Sequence, residues 1–310
     1  MQNIVLAINY STNKITLRLA AIDIGSNAAR LLITEVLQDA NGNAVFNKMN
    51  LVRVPLRLGF DVFEQGFISK QRLGMMLQTM KAFKHLCNAY EVSHIKACAT
   101  SAMRDAKNSG DIIRKVRLET EIPIEIISGD LEANLIYENH VAESMDKDHS
   151  YLYIDVGGGS TELSFFSNNI LIYKKSFNIG TIRLLKNMVT EKEWDEMKET
   201  IRAVTKGHKE VVAIGSGGNI NKVFSMSKKK DGKPLSLELL RDYYKELSSV
   251  TLADRILKYS LREDRADVIV PAILIYINTM RWANALEIYV PKIGLVDGLI
   301  RHLWEEVNKK

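Results

Sequence analysis

The sequence predicts an α/β protein built from two related domains that face each other across a cleft. Three observations predict it. The chain has 310 residues, and at roughly 100–200 residues per domain that suggests two domains. An apolar strand ending in Asp and a glycine turn occurs twice: Leu-Ala-Ala-Ile-Asp-Ile-Gly-Ser-Asn at 19–27 and Tyr-Leu-Tyr-Ile-Asp-Val-Gly-Gly-Gly-Ser-Thr at 151–161. After each copy come two further β-rich runs and then alternating helix and strand patterns, as expected of a duplicated layered unit.

The elements follow in order. Residues 15, 17 and 19 (Ile, Leu, Leu) alternate as in a strand leading into the first Asp turn. Ala29 to Val36 and Val45 to Val54 complete a three-stranded meander. Ser69 to Tyr90 has helical spacing through Leu73, Leu77, Met80, Phe83 and Leu86. A strand at Ile95 to Ala99, a helix from about Ala102 and a strand at Ile124 to Ile127 come next. A helix then starts near Asp130 and carries Leu131, Leu135 and Ile136. The second meander adds Glu162 to Phe166 and Ile170 to Phe177. Glu191 to Lys206 reads as a helix and Val211 to Ile214 as a strand. Helices across Leu237 to Leu261 and Ala266 to Ala285, a last strand at Leu286 to Tyr289 and a closing helix from about Leu295 to Val307 end the chain. The polar run Asp-Lys-Asp-His-Ser at 146–150 separates the halves. The expected domains are 1–137 and 138–310, with the closing helix packing back on the first.

Hydrophobic residues make up 46% and charged residues 25%. These are globular averages, which exclude a disordered or collagen-like chain. The net charge is +5, which reads either as a slightly basic soluble protein or as one that attracts polyanions such as nucleotides, polyphosphate or nucleic acid. Only Cys87 and Cys98 occur. That excludes a disulfide scaffold and a four-cysteine zinc site, and it fits a reducing cytoplasm. The six histidines show no metal-ligand spacing. No apolar run approaches the ~18 residues of a membrane helix. The first 19 residues lack the basic start and small-residue cleavage site of a signal peptide. Neither a membrane nor a nucleic-acid partner is expected.

The second Asp turn, Asp155-Val-Gly-Gly-Gly-Ser-Thr-Glu162, is the most specific local signal. Gly157, Gly158 and Gly159 let backbone N–H groups approach a ligand without Cβ obstruction. Several such donors in a tight turn form an anion nest. Ser160 and Thr161 add hydroxyls. Asp155 suits Mg²⁺, which takes one or two carboxylates and fills its shell with water and phosphate oxygens. Asp23-Ile-Gly25-Ser26-Asn27 is the weaker twin. Gly215-Ser216-Gly217-Gly218-Asn219 places glycines between a strand and a helix, where anions bind favourably. It has no Gly-Lys-Ser/Thr ending, so it is not a P-loop.

Two further turns carry chemistry. In Thr100-Ser101-Ala-Met-Arg104, the arginine is placed to clamp a phosphate, or Ser101 caps a helix and Arg104 lies on its surface. In Ser128-Gly-Asp-Leu-Glu132-Ala133, Glu132 is either a first-turn acid favoured by the helix dipole or a general base at the cleft. Spacing alone leaves both readings open. The lysine loop Ser-Lys-Lys-Lys-Asp-Gly-Lys-Pro at 227–234 is either a solvated loop or a funnel for an anionic chain.

Together these motifs closely resemble the exopolyphosphatase/guanosine pentaphosphatase (Ppx/GppA) phosphatase family of the actin-like ATPase superfamily. The matching stretches are residues 21–27, 99–104 with Asn108, 124–133, 154–163, 215–218, 265–271 (Arg-Ala-Asp-Val-Ile-Val-Pro) and 294–298 (Gly-Leu-Val-Asp-Gly). They span about residues 20 to 305 in family order. The resemblance implies two ribonuclease-H-like domains, each a mixed five-stranded sheet with helices. It implies Mg²⁺-dependent hydrolysis of a terminal phosphoanhydride in polyphosphate or guanosine pentaphosphate. It makes Glu132 the proposed base, with Arg104 and Glu162 as its catalytic companions. Asp23 and Asp155 become the metal carboxylates, and Arg30 and Ser101 join the three glycine loops in holding phosphate. A homodimer is the family expectation. Ala28, Asn219 and Asp297 depart from the usual Ser, Thr and Glu, which bears on substrate preference. The sequence ends before the helical HD-type extension of longer members. The rival readings are a binding-only nucleotide or alarmone sensor and a small-molecule kinase of the same superfamily.

Overall fold

A computed structural model describes residues 16–38, 43–137, 148–208 and 210–308. The expected domain junction at 137/138, residues 146 and 147 of the polar run and the first fifteen residues lie wholly or partly outside them. The first half contains β1 (Thr16–Ile24), β2 (Ala29–Gln38), β3 (Ala44–Val54), α1 (Leu58–Gln65), α2 (Lys70–Ala89), β4 (His94–Ala99), α3 (Ser101–Asp105), α4 (Ser109–Thr120), β5 (Ile124–Ile126) and α5 (Gly129–Tyr137). The second contains β6 (Ser150–Val156), β7 (Thr161–Ser167), β8 (Ile170–Phe177), α6 (Thr181–Leu185), α7 (Glu191–Thr205), β9 (Val211–Ser216), α8 (Gly218–Ser227) and β10 (Leu235–Ser236). It ends with α9 (Leu237–Ser248), α10 (Leu252–Tyr259), α11 (Glu263–Ala266), α12 (Ile269–Trp282), β11 (Glu287–Tyr289) and α13 (Leu295–Asn308).

Two mixed sheets result. The first has the order β3-β2-β1-β4-β5, and the second β10-β11-β9-β6-β7-β8. In each, the meander is antiparallel and the strands beyond it run parallel to the first: β1 with β4 and β4 with β5, then β6 with β9 and β9 with β11. The second sheet therefore carries a sixth strand where five were expected. Leu235 and Ser236 pair antiparallel with Ile288 and Glu287, and a two-residue strand shows no periodicity to detect.

Helices cover the sheets because each strand buries an apolar face. β1 contributes Ala20, Ile22 and Ile24 to one side, packed with Leu58, Met76, Met80 and Phe83 of α1 and α2. Its other face, Leu19 and Ala21, packs on Leu295, Leu299, Leu303 and Trp304 of α13. The closing helix thus lies on the first sheet. The second sheet buries Leu152, Ile154, Leu163 and Phe165 against α7, α8, α9 and α12.

α5 makes the reciprocal crossing, from the first half onto β7 and β8. Its N-terminus comes so close to β8 that a Cβ on Gly129 would lie 2.4 Å from the Cβ of Ser176. Only glycine permits that approach, and it carries Glu132 to the second sheet.

Candidate active site

The cleft opens at the carboxyl ends of β1, β4, β6 and β9, where ligand sites of parallel α/β sheets form. It is lined by Asp23, Gly25, Ser26, Asn27, Arg30, Ser101 and Glu132 from the first half. From the second come Asp155, Gly157, Gly158, Ser160, Ser216, Gly217 and Gly218.

The duplicated turns are closed alike. Gly25 N–H donates to Ala28 O at 3.1 Å, and Gly157 N–H donates to Ser160 O at 2.9 Å. The first turn is tied to α3 by the Ser26 and Ser101 hydroxyls, 2.8 Å apart and buried. At the third turn, Gly217 has φ +116°, a conformation other residues rarely adopt. α8 begins directly after it with no side-chain cap, which leaves its first N–H groups to the cleft. Tyr276 of α12, fully buried, donates its hydroxyl to Ser216 O beneath this turn.

Asp23, Glu132 and Asp155 line the cleft, and Glu162 sits across from Asp155 on the neighbouring strand. Asp23 Oδ2 accepts from Arg30 at 2.7 Å, yet burial raises its pKa against that partner. Burial also raises Asp155 to about 6, opposed by Arg30 and a hydrogen bond from Ser216 and reinforced by Asp23. Glu162 is pushed up to about 7 by burial and by Asp155. Its Oε1 accepts from Ser160 and Ser176, both at 2.7 Å, while its buried Oε2 has no hydrogen-bond partner among the described residues. Glu132 is raised well above the carboxylate range by burial and then by Glu162, with Arg104 opposing. Carboxyls shifted in this direction are suited to proton transfer.

Several expected residues sit elsewhere. Arg104 is absent from the cleft wall: its guanidinium donates to Glu132 Oε2 at 3.1 Å and Ile127 O at 2.8 Å, so here it holds the carboxylate. The Thr161 hydroxyl is buried and donates to Ile179 O at 2.5 Å, which uses it within the protein. Gly215 packs under Ile288 and Ile220. Gly159 is covered by Ser101 and Phe63, and its carbonyl accepts from Arg183 at 2.8 Å.

The cleft also holds Arg265, from the 265–271 stretch, and three cations that no local motif announced: Lys48, Arg53 and Lys292. Arg53 pairs with Asp264 at 2.6 Å. Arg265 is pulled down to about 10 by burial and then by Arg53. With Arg57–Asp267 at 2.5 Å and Asn27 donating to Asp264 O at 2.9 Å, these contacts join the halves beside the site. Arg53 and Arg57 lie on or after an edge strand with no glycine signature, and their partners are over 200 positions away.

Among the described residues, no cluster of three or more His, Cys, Asp and Glu side chains is placed to hold a metal ion. Asp23 and Asp155 form a pair of cleft carboxylates. It fits Mg²⁺, which keeps waters and shares substrate phosphates, and does not form an all-protein cage.

A model of the Ppx/GppA phosphatase family matches residues 36–306. The chain belongs to that family. It is a phosphohydrolase with an actin-like two-domain fold. It is 25% identical over 307 residues to Exopolyphosphatase 1 of Mycobacterium tuberculosis, covering 92% of this chain and 87% of that one. A crystal structure of an exopolyphosphatase from Cytophaga hutchinsonii superposes with a TM-score of 0.79 at 26% identity, covering 93% of this chain and 98% of that chain. A bifunctional 3-dehydroquinate synthase/phosphatase of Fusobacterium nucleatum is 38% identical over 170 residues, 53% of this chain. That match spans 25% of the Fusobacterium protein. Among the described residues, no helix is long and apolar enough to cross a membrane.

Proposed function

We propose that this Ppx/GppA phosphatase removes the terminal phosphate of inorganic polyphosphate, with Mg²⁺, and releases orthophosphate. The observation that carries the proposal is the meeting of Glu132 from α5 with Glu162 from β7, beside two glycine turns of the same geometry. Named relatives that act on polyphosphate support the substrate class.

In this reading the turns at Gly25 and Gly157 and the start of α8 donate N–H groups to the last two phosphates. Arg30, Arg53 and Arg265 offset their charge. Arg104 fixes the Glu132 carboxylate. Glu132 accepts a proton from water as the water oxygen bonds to the terminal phosphorus. The bridging P–O bond breaks, and its electron pair leaves on the shortened chain. Glu162, hydrogen-bonded by Ser160 and Ser176, keeps Glu132 basic through its charge when ionised. Bound through Asp23 and Asp155, Mg²⁺ would supply charge neutralisation on phosphate oxygens. Catalysis is then mostly positioning and electrostatic stabilisation.

The test is phosphate release with Mg²⁺ from tripolyphosphate, long polyphosphate and guanosine pentaphosphate in parallel. Release from both polyphosphates is expected. Turnover of guanosine pentaphosphate alone would replace the substrate assignment. Binding of all three without release would replace hydrolysis with sensing.

A further inference from the structure

Lys292 lies in the cleft wall beside Ile293 and Gly294. Its ammonium is 2.5 Å from Asp231 Oδ1 and 5.4 Å from the ring centre of Phe224. Asp231 belongs to the 228–234 loop, which leaves the far end of α8 and turns back to the cleft. Gly232, at φ +80°, and a Lys233 N–H to Lys230 O bond of 3.1 Å shape that return. The loop carries Lys228, Lys229, Lys230 and Lys233, all exposed. Its single carboxylate is already engaged by the cleft lysine. Lys229 Nζ donates to the neutral Pro234 O at 2.7 Å. The cations of the cleft, Arg30, Arg53, Arg265 and Lys292, therefore continue onto an exposed cationic loop.

We propose that this loop is a second binding site. It would take the distal phosphates of a polyphosphate chain whose terminal phosphate sits in the cleft, with Asp231 as the anion the chain displaces from Lys292. This rests on the polyphosphate reading above and deepens it. The spacing supports it: α8 has ten residues, about 15 Å at 1.5 Å per residue, between Gly218 in the cleft and the first loop lysine. A tripolyphosphate held at the glycine turns ends short of Lys228, and a long chain does not. Displacing Asp231 costs little, because both partners of the pair are at least half exposed and exposed ion pairs are weak. A phosphate oxygen on Lys292 replaces the carboxylate, and the exposed loop lysines take further phosphates.

Two full-length variants test this: one with Lys228, Lys229, Lys230 and Lys233 all changed to Ser, and Asp231→Asn. Rates are measured with tripolyphosphate and long polyphosphate at two salt concentrations. The serine variant should keep tripolyphosphate kcat/KM within about twofold and lose about tenfold on the long chain at low salt. Its salt dependence should flatten by ~0.7 in log–log slope for each phosphate contact removed, by analogy with single-stranded nucleic acid. Asp231→Asn should tighten the long chain several-fold. Equal losses on both substrates, or none on the long chain, would overturn the second site. Tripolyphosphate turnover by the wild type checks the hydrolase reading separately. If it is absent, calorimetric titration with long polyphosphate still decides the loop, and equal affinities for wild type and serine variant would overturn it.

Discussion

Glu162 should make the metal-free protein less stable as pH rises, the reverse of the usual carboxylate. An exposed or ion-paired acid has a folded pKa at or below its unfolded one, and it stabilises above that range. Glu162 is instead pushed up to about 7, against an ordinary 4.5, by burial and by Asp155. Between those two values the folded state binds more protons than the unfolded chain, so stability falls as pH climbs through the window and levels off above it. At about 1.4 kcal/mol per pH unit, ionising this group inside the fold costs about 3 kcal/mol. Glu162→Gln removes the titration and keeps an oxygen to accept from Ser160 and Ser176. The assay is urea unfolding of both proteins in chelated buffer between about pH 5 and pH 8. The glutamine variant should gain about 3 kcal/mol on wild type across that range. Parallel curves would show that Glu162 ionises freely, and its role beside Glu132 would fall with that.

Other consequences follow from the turns. A Cβ on Gly158 would lie 2.9 Å from Ser26 Cβ and 3.1 Å from Ile182 Cδ1, and overpacking of that kind costs ~1–3 kcal/mol. Gly158→Val should therefore weaken binding of a non-hydrolysable phosphate chain at least tenfold, roughly what 1.4 kcal/mol gives. Ala28→Ser, which only adds a hydroxyl, should change binding less; the comparison is made by calorimetric titration. Tyr276→Phe orphans the Ser216 carbonyl under the third turn. It should cost ~1–3 kcal/mol in denaturant unfolding and also weaken the phosphate chain. A stability loss with unchanged binding would limit Tyr276 to packing.

The legible features were the local ones. The Asp-Gly turns announce themselves because strand, acid and glycines are contiguous, and their repetition implies two facing sheets. Glu132 was half legible: its spacing fits a helix start as well as a base. What decides its place is α5 crossing to β7 and β8, which Gly129 permits. Arg53 and Lys292 were illegible as cleft residues, because each arrives from an edge strand or a connection with no motif of its own. Thr161 misled in the other direction. Its hydroxyl stands in a phosphate-type motif, but strand alternation turns it into the protein, onto Ile179 O. The β10 strand was too short for any period.

The central claim is that Glu132 activates water for attack on a phosphate held by the glycine turns. The direct measurement pairs phosphate release from tripolyphosphate with calorimetric affinity for a non-hydrolysable phosphate chain, for wild type and Glu132→Gln. Removing a general base costs about 10²–10⁴-fold in rate, and the turns that bind phosphate are untouched. A kcat loss in that range is expected, with affinity within a few-fold of wild type. A glutamine variant that turns over at the wild-type rate, or one that loses affinity and rate together, would contradict it.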